Sequence, residues 1–244
     1  MANIRQQSQR FQYAQPIFMQ GDRSLARALR DLMREQHPYM LESIHLDEAA
    51  PADALTLAEW ASPEQFPALA QRYSDSLYRQ HPDAVQEAKP VQSLWAQWYF
   101  GLLLPPLMLA LLAESRALDC SPQHIHVQFH EHGHPCAFWI ATHEDEEARY
   151  LTAPQRIDRL IQQHLIPAVN GIAQHGGINA RLIWNNMGFS FHWFLGELKT
   201  LLDEATILQL EQTLFFTSRL QDGSDNPLYR TMLPRDGEMV RRSC

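Results

Sequence analysis

The spacing of apolar residues predicts a helix soon after the start of the chain. Leu25, Leu29 and Leu32 lie three or four positions apart, so they share one face of an α-helix. Asp22 stands before this run and is placed to cap the helix. We expect the helix to end near Glu35.

The period of the pattern changes near the middle of the chain. Ile125, Val127 and Phe129 alternate with polar residues, and a turn-rich stretch and a second β-rich run follow, which indicates a hairpin. The other predicted elements are two helical pieces after Thr56 divided near Ser62-Pro63, a helical segment from Val91, a helix over 154–175 closed by Gly176-Gly177, a short strand over 180–184, helices over 189–202 and 204–216, and a closing hairpin of 229–233 and 238–242.

One uncharged stretch, residues 98–113, reads WYFGLLLPPLMLALLA. It is shorter than the roughly 20 residues that span a bilayer, and Pro105-Pro106 is expected to break the helix at its middle. We interpret it as a buried core element. The alternative is a helix–break–helix in peripheral contact with the inner membrane.

These elements predict an α+β fold, with a helical N-terminal half and a C-terminal half of helices packed on a small antiparallel sheet of hairpins. We divide the chain into a polar N-terminal tail over 1–20, a helical region over 21–120 and an α+β region over 121–244.

Charge and cysteine usage restrict the partners and the compartment. The formal net charge of −8 disfavours nucleic acid as a partner. The first twenty residues lack the apolar run of a secretory signal, so we expect a cytoplasmic protein. Cys120, Cys136 and Cys244 are then expected to be free thiols or metal ligands.

Histidines are concentrated in the predicted hairpin. His124, His126 and His130 fall on one strand face, and His132 and His134 sit in the adjoining turn. Such a group of imidazoles can hold a divalent metal ion, and the alternative is the polar face of a half-buried hairpin.

Two further stretches are candidates for a binding site. Trp184 and the Asn185-Asn186-Met187-Gly188 segment are expected at a strand end before a helix, where a ligand is often met. At the C-terminus, Cys244 follows two arginines, whose positive field favours a thiolate.

Four segments together resemble the FhuF-like ferric iron reductase family. They are SLWAQWYFGLLLPPLMLALL over 93–112, HVQFHEHG over 126–133, LIWNNMG over 182–188 and DNPLYR…RDG…VRRSC over 225–244. The match runs in order from about residue 20 to the end. The ensemble is specific, although no single segment is.

This resemblance implies a cytoplasmic reductase of Fe(III) in imported hydroxamate siderophores that uses a [2Fe–2S] cluster and an unidentified electron donor. Only Cys244 matches the family's cluster motif, as the first of four cysteines. Since a [2Fe–2S] centre needs four ligands, the chain as given is expected to be inactive. Arg241 and Arg242 are expected to raise the cluster potential, and we place the ferric chelate near Trp184, Asn186, Trp95 and Arg230.

Two other functions remain open on the sequence. One is a non-catalytic siderophore- or metal-binding domain without a cluster. The other is a ligase related to siderophore synthetases, against which the absence of a phosphate-binding glycine loop counts.

Overall fold

The computed structural model describes residues 23–81 and 83–242. Asp22, the predicted tail over 1–20 and Cys244 lie outside the described residues. The first helix, α1, begins at Leu25, and Ser24 caps it by accepting a hydrogen bond from the backbone N–H of Arg27 at 3.3 Å.

Eight α-helices are described in this part of the chain, and several are continued by short 3₁₀ or π turns. They are α1 Leu25–Gln36, α2 Leu57–Trp60, α3 Gln65–Leu77, α4 Ala88–Ala113, α5 Ala153–Leu160, α6 Ile166–Gly176, α7 Ala180–Glu197 and α8 Glu204–Glu211. The six strands are β1 Ile44–Leu46, β2 Leu55–Thr56, β3 Ile125–Phe129, β4 Pro135–Ile140, β5 Met232–Arg235 and β6 Glu238–Arg241.

The predicted α+β class is confirmed. The main sheet has the order β1-β4-β3-β2, in which β1 runs parallel to β4 and the other pairs are antiparallel. A second, two-stranded sheet is formed by β5 and β6. Strands β1 and β2 come from the region predicted to be helical, so both regions contribute to one sheet, and the division into regions stays a prediction.

Helix α4 corrects the predicted break at Pro105-Pro106, because it continues through both prolines. Each proline removes an intrahelical hydrogen bond at a cost of about 3 kcal/mol or more. Leu103, Leu104 and Leu107 beside the prolines are all at 0% exposure, and we attribute the continuity of the helix to this packing.

By length and composition α4 could cross a bilayer, yet 67% of its most apolar window is buried inside the fold. A core helix has this property, as the sequence interpretation expected. The peripheral membrane contact stays a prediction.

The predicted strand over 180–184 is wrong, since these residues form the first turns of α7. Asn179 caps this helix and accepts a hydrogen bond from the N–H of Arg181 at 2.8 Å. A short apolar run does not distinguish a strand from a buried helix, and the Asn cap decides in favour of the helix here.

A buried histidine in the π turn between α5 and α6 faces α4. His164 belongs to a π turn over Ile161–Leu165 and has 0% exposure. Its Nε2 lies 2.9 Å from the Tyr99 hydroxyl, which can donate to the neutral ring. Burial lowers the pKa of His164 from 6.5 to about 4.

This burial predicts a stability loss in mild acid. The unfolded chain binds a proton at His164 below about pH 6.5, whereas the native ring resists it until about pH 4. The free energy of unfolding should therefore fall by roughly 3 kcal/mol across this window. Urea unfolding measured at several pH values should show a smaller fall in the free energy of unfolding for His164→Gln than for the wild type. An equal dependence on pH in both proteins would show that His164 is not the cause of the acid sensitivity.

Candidate functional site

Asn186 joins three elements at one point. Its Nδ2 donates to Ser93 Oγ on α4 at 3.2 Å, and its Oδ1 accepts from Arg241 Nη1 on β6 at 2.8 Å. The Asn186 side chain is half-buried and Arg241 is exposed. This amide therefore links α4, α7 and the β5–β6 hairpin at the protein surface.

The hairpin reaches α7 through a close contact at Gly188. A Cβ atom at this position would lie 2.2 Å from Thr231 Oγ1 and 2.6 Å from Thr231 Cβ. Thr231 is fully buried, and its hydroxyl donates to the Leu228 carbonyl at 2.7 Å. Only glycine at 188 leaves room for the start of the hairpin to pack directly on the helix.

Asn226 fixes the segment that leads into the hairpin. Its Nδ2 lies within hydrogen-bonding distance of three carbonyl oxygens at the end of the α8 helical segment, those of Thr213, Leu214 and Thr217. Its Oδ1 accepts from the Leu228 N–H at 2.9 Å. These contacts explain why a buried Asn stands in the DNPLYR stretch.

Four exposed arginines surround this junction. Arg230 adopts a left-handed backbone conformation with φ 58° and lies over the Tyr229 ring at 5.4 Å. Arg181 Nη2 contacts the Tyr229 carbonyl at 3.4 Å, and Arg241 and Arg242 lie at the end of β6. In a chain of net charge −8, this local positive charge suits an electron-rich ligand.

The two predicted tryptophans are both buried, and they lie in different parts of the fold. Trp184 is 6% exposed on α7. Trp95 is 0% exposed and donates to the Gly133 carbonyl at 2.8 Å, so its indole belongs to the core and does not reach a surface ligand. The structure brings Asn186 and Arg241 together, while Trp95 lies under the other hairpin.

Sequence reasoning missed three positions in this site. Ser93 gave no signal, because a lone Ser in a helix is common. Gly188 was noted only as part of a motif, and Thr231 was not singled out at all. A glycine inside a helix that also contains two Asn residues is the feature that suggests a close approach of another segment.

Comparisons with known proteins agree on one family. Residues 93–239 match the family model described as "Ferric iron reductase FhuF-like transporter". A protein of Escherichia coli (strain K12) named "Ferric siderophore reductase" is 48% identical over 223 residues, which cover 91% of this chain and 85% of that protein. The chain belongs to the FhuF-like ferric iron reductase family. The matched range includes Ser93, Asn186, Gly188 and Thr231.

The described cysteines of this FhuF-like protein do not form a cluster site. Cys120 is 2% exposed, and its thiol contacts the Leu118 carbonyl at 3.6 Å. Cys136 lies on β4. Burial raises the pKa of both thiols, which disfavours the thiolates that iron would require. Among the described residues there is therefore no thiolate set for a [2Fe–2S] cluster, and Cys244 lies beyond them.

The Gly188 contact predicts a specific sensitivity to substitution. Gly188→Ala should destabilise this FhuF-like protein by about 1–3 kcal/mol, because the new methyl group collides with buried Thr231. Gly196→Ala on the same helix is the matched control, since a Cβ there meets nothing within 4 Å and should be neutral or stabilising. Urea unfolding measures both; equal effects at the two positions would argue against a close-packed hairpin.

Proposed function

We propose that this protein reduces Fe(III) bound to a hydroxamate siderophore and thereby releases Fe(II) in the cytoplasm. Membership of the FhuF-like family is the observation that carries this proposal. The substrate is suggested by the name of the Escherichia coli relative, "Ferric siderophore reductase". The hydroxamate class of the siderophore and the cytoplasmic location are proposed from the sequence resemblance.

The chemistry explains why reduction is also release. Hard hydroxamate oxygens hold Fe(III) tightly and the softer, less charged Fe(II) much less well, so a one-electron transfer weakens the complex. The siderophore keeps its covalent structure, and the electron comes from a donor that we do not identify. The protein has to hold the chelate close to the source of that electron.

We place the chelate on the surface around Asn186 and the arginines. The support is that Asn186, Arg241 and Arg230 present amide and guanidinium groups at an exposed junction. Hydroxamate oxygens are acceptors, and guanidinium groups donate to such oxygens. Trp184 is 6% exposed on α7, two residues before Asn186, whereas buried Trp95 supports the fold and is not part of the proposed contact.

The [2Fe–2S] cluster remains part of the proposal for the protein with a complete ligand set. Such a cluster would supply single electrons, with Cys244 as one ligand. The described residues alone do not supply the four ligands of such a cluster, because Cys120 is buried and Cys136 lies apart from it on β4. The proposed role of the described residues is to bind and orient the ferric complex.

The proposal is tested with the product of the full gene, purified without oxygen. A ferric trihydroxamate, a chemical reductant and a chromogenic ferrous chelator are mixed with and without protein. We expect the protein to accelerate Fe(II) release well above the blank. If the protein binds the chelate but the rate equals the blank, it is a non-catalytic siderophore-binding domain and the reductase proposal is wrong.

Asn186 gives a sharper test of where the chelate binds. Asn186→Ala removes the acceptor that positions Arg241, so we expect KM for the ferric chelate to rise about tenfold while kcat changes less. Ser93→Ala is the matched control, because it removes the other hydrogen bond of Asn186 and leaves the Arg241 contact. Unchanged KM in Asn186→Ala, or the same rise in Ser93→Ala, would move the site elsewhere.

Arg241 and Arg242 are also proposed to stabilise the reduced, more negative state of the electron-transfer centre. In protein that carries the cluster, alanine at either position should lower the reduction potential, and lysine should largely preserve it. Potentiometric titration measures this, and an unchanged or higher potential in the alanine variants would remove the tuning role.

A further inference from the structure

The tip of the β3–β4 hairpin carries side chains that the proposed function does not use. His130, Glu131 and His132 each offer one ligand atom, and these atoms all lie within 4.8 Å of one another. His130 and Glu131 are exposed and His132 is half-buried, so a dissolved ion can reach them. The His132 Nε2 lies 3.6 Å from Glu131 Oε1.

A fourth imidazole lies beside this group. The His134 ring stacks on His130 with centroids 4.8 Å apart, and the His132 ring lies 4.7 Å from that of His130. The Nδ1 of His134 is buried and has no hydrogen-bond partner among the described residues.

The core of the protein fixes the backbone of this tip. Gly133 has φ 86°, and its carbonyl accepts a hydrogen bond from buried Trp95 at 2.8 Å. A Cβ atom at Gly133 would lie 2.3 Å from the Leu69 carbonyl oxygen, so the turn is packed against α3. Two backbone hydrogen bonds close the turn: the His130 N–H donates to the His134 carbonyl at 2.8 Å, and the Gly133 N–H donates to the His130 carbonyl at 2.7 Å. The histidines therefore project from a rigid support.

Two aromatic residues contact His134. The rings of Trp98 and Tyr73 lie 5.1 and 5.4 Å from that of His134, and the Trp98 indole donates to the Tyr73 hydroxyl at 2.9 Å. His130 and Glu131, by contrast, are exposed to solvent. A preformed set of ligands with one open side suits an ion that also keeps a water or another ligand.

We propose that this tip binds one divalent first-row transition-metal ion through His130, Glu131 and His132. Two imidazoles and a carboxylate suit Zn²⁺, Fe²⁺ or Co²⁺ better than Mg²⁺ or Ca²⁺, which prefer oxygen ligands. Binding through His130 Nδ1 replaces only one exposed hydrogen bond, the 3.2 Å contact from the His132 N–H. The inference does not depend on the reductase proposal.

Equilibrium dialysis of the metal-free protein against Zn²⁺ measures how many ions bind and how tightly. We expect the wild-type chain to hold one more ion than the double variant H130A/H132A, and Glu131→Gln to weaken that ion's binding about tenfold. His81→Ala, which removes an exposed imidazole elsewhere, is the control and should bind like wild type. All variants keep the same cysteines, so thiol binding cancels in the comparison.

Co²⁺ provides a second readout. The wild-type protein should show a visible d–d absorption that H130A/H132A lacks and that excess Zn²⁺ removes. Glu131→Gln changes one exposed side chain, so it keeps the test decisive if the double variant does not fold. Equal Zn²⁺ stoichiometry and affinity in wild type and the hairpin variants, or an equal loss in His81→Ala, would overturn the proposal.

Discussion

The contact between Gly188 and Thr231 holds the C-terminal hairpin against α7, and the candidate site depends on it. A helix normally keeps another backbone segment several ångströms away through its side chains. At Gly188 that spacing is absent, and buried Thr231 occupies the space. Arg241 reaches Asn186 because the hairpin starts from this position, and Asn226 fixes the segment that leads to it.

Helix α4 supports this junction from the core of the protein. Helix α4 carries Ser93, which holds the other end of the Asn186 amide, and its buried apolar face forms the centre of the core. The same helix carries Trp95, which holds the tip of the β3–β4 hairpin. One long helix therefore positions both surfaces, the arginine-lined junction and the histidine-bearing tip.

Part of the fold could be predicted from the sequence, and the elements that could not be predicted were missed for physical reasons. The alternation at Ile125, Val127 and Phe129 identified β3 because one face of that strand is buried. Strands β1 and β2 contain three and two residues, too few to show a period, so they were missed. The run over 180–184 resembled a strand because five residues are too few to show whether an apolar run has the period of a helix or of a strand. The hydrogen bonds of Asn186 to Ser93 and Arg241 join residues far apart in the chain, and no local pattern encodes such a contact.

We propose that this protein transfers an electron to iron held in a ferric chelate at the junction of α7 and the hairpin. A single-turnover experiment tests it most directly. The full gene product is reduced, freed of excess reductant under anaerobic conditions and mixed with a ferric trihydroxamate in the presence of a ferrous chelator. We expect Fe(II) in proportion to the protein added, with a slower appearance in Asn186→Ala at low chelate concentration. Reduced protein that yields no Fe(II) above the blank would rule out the proposed electron transfer.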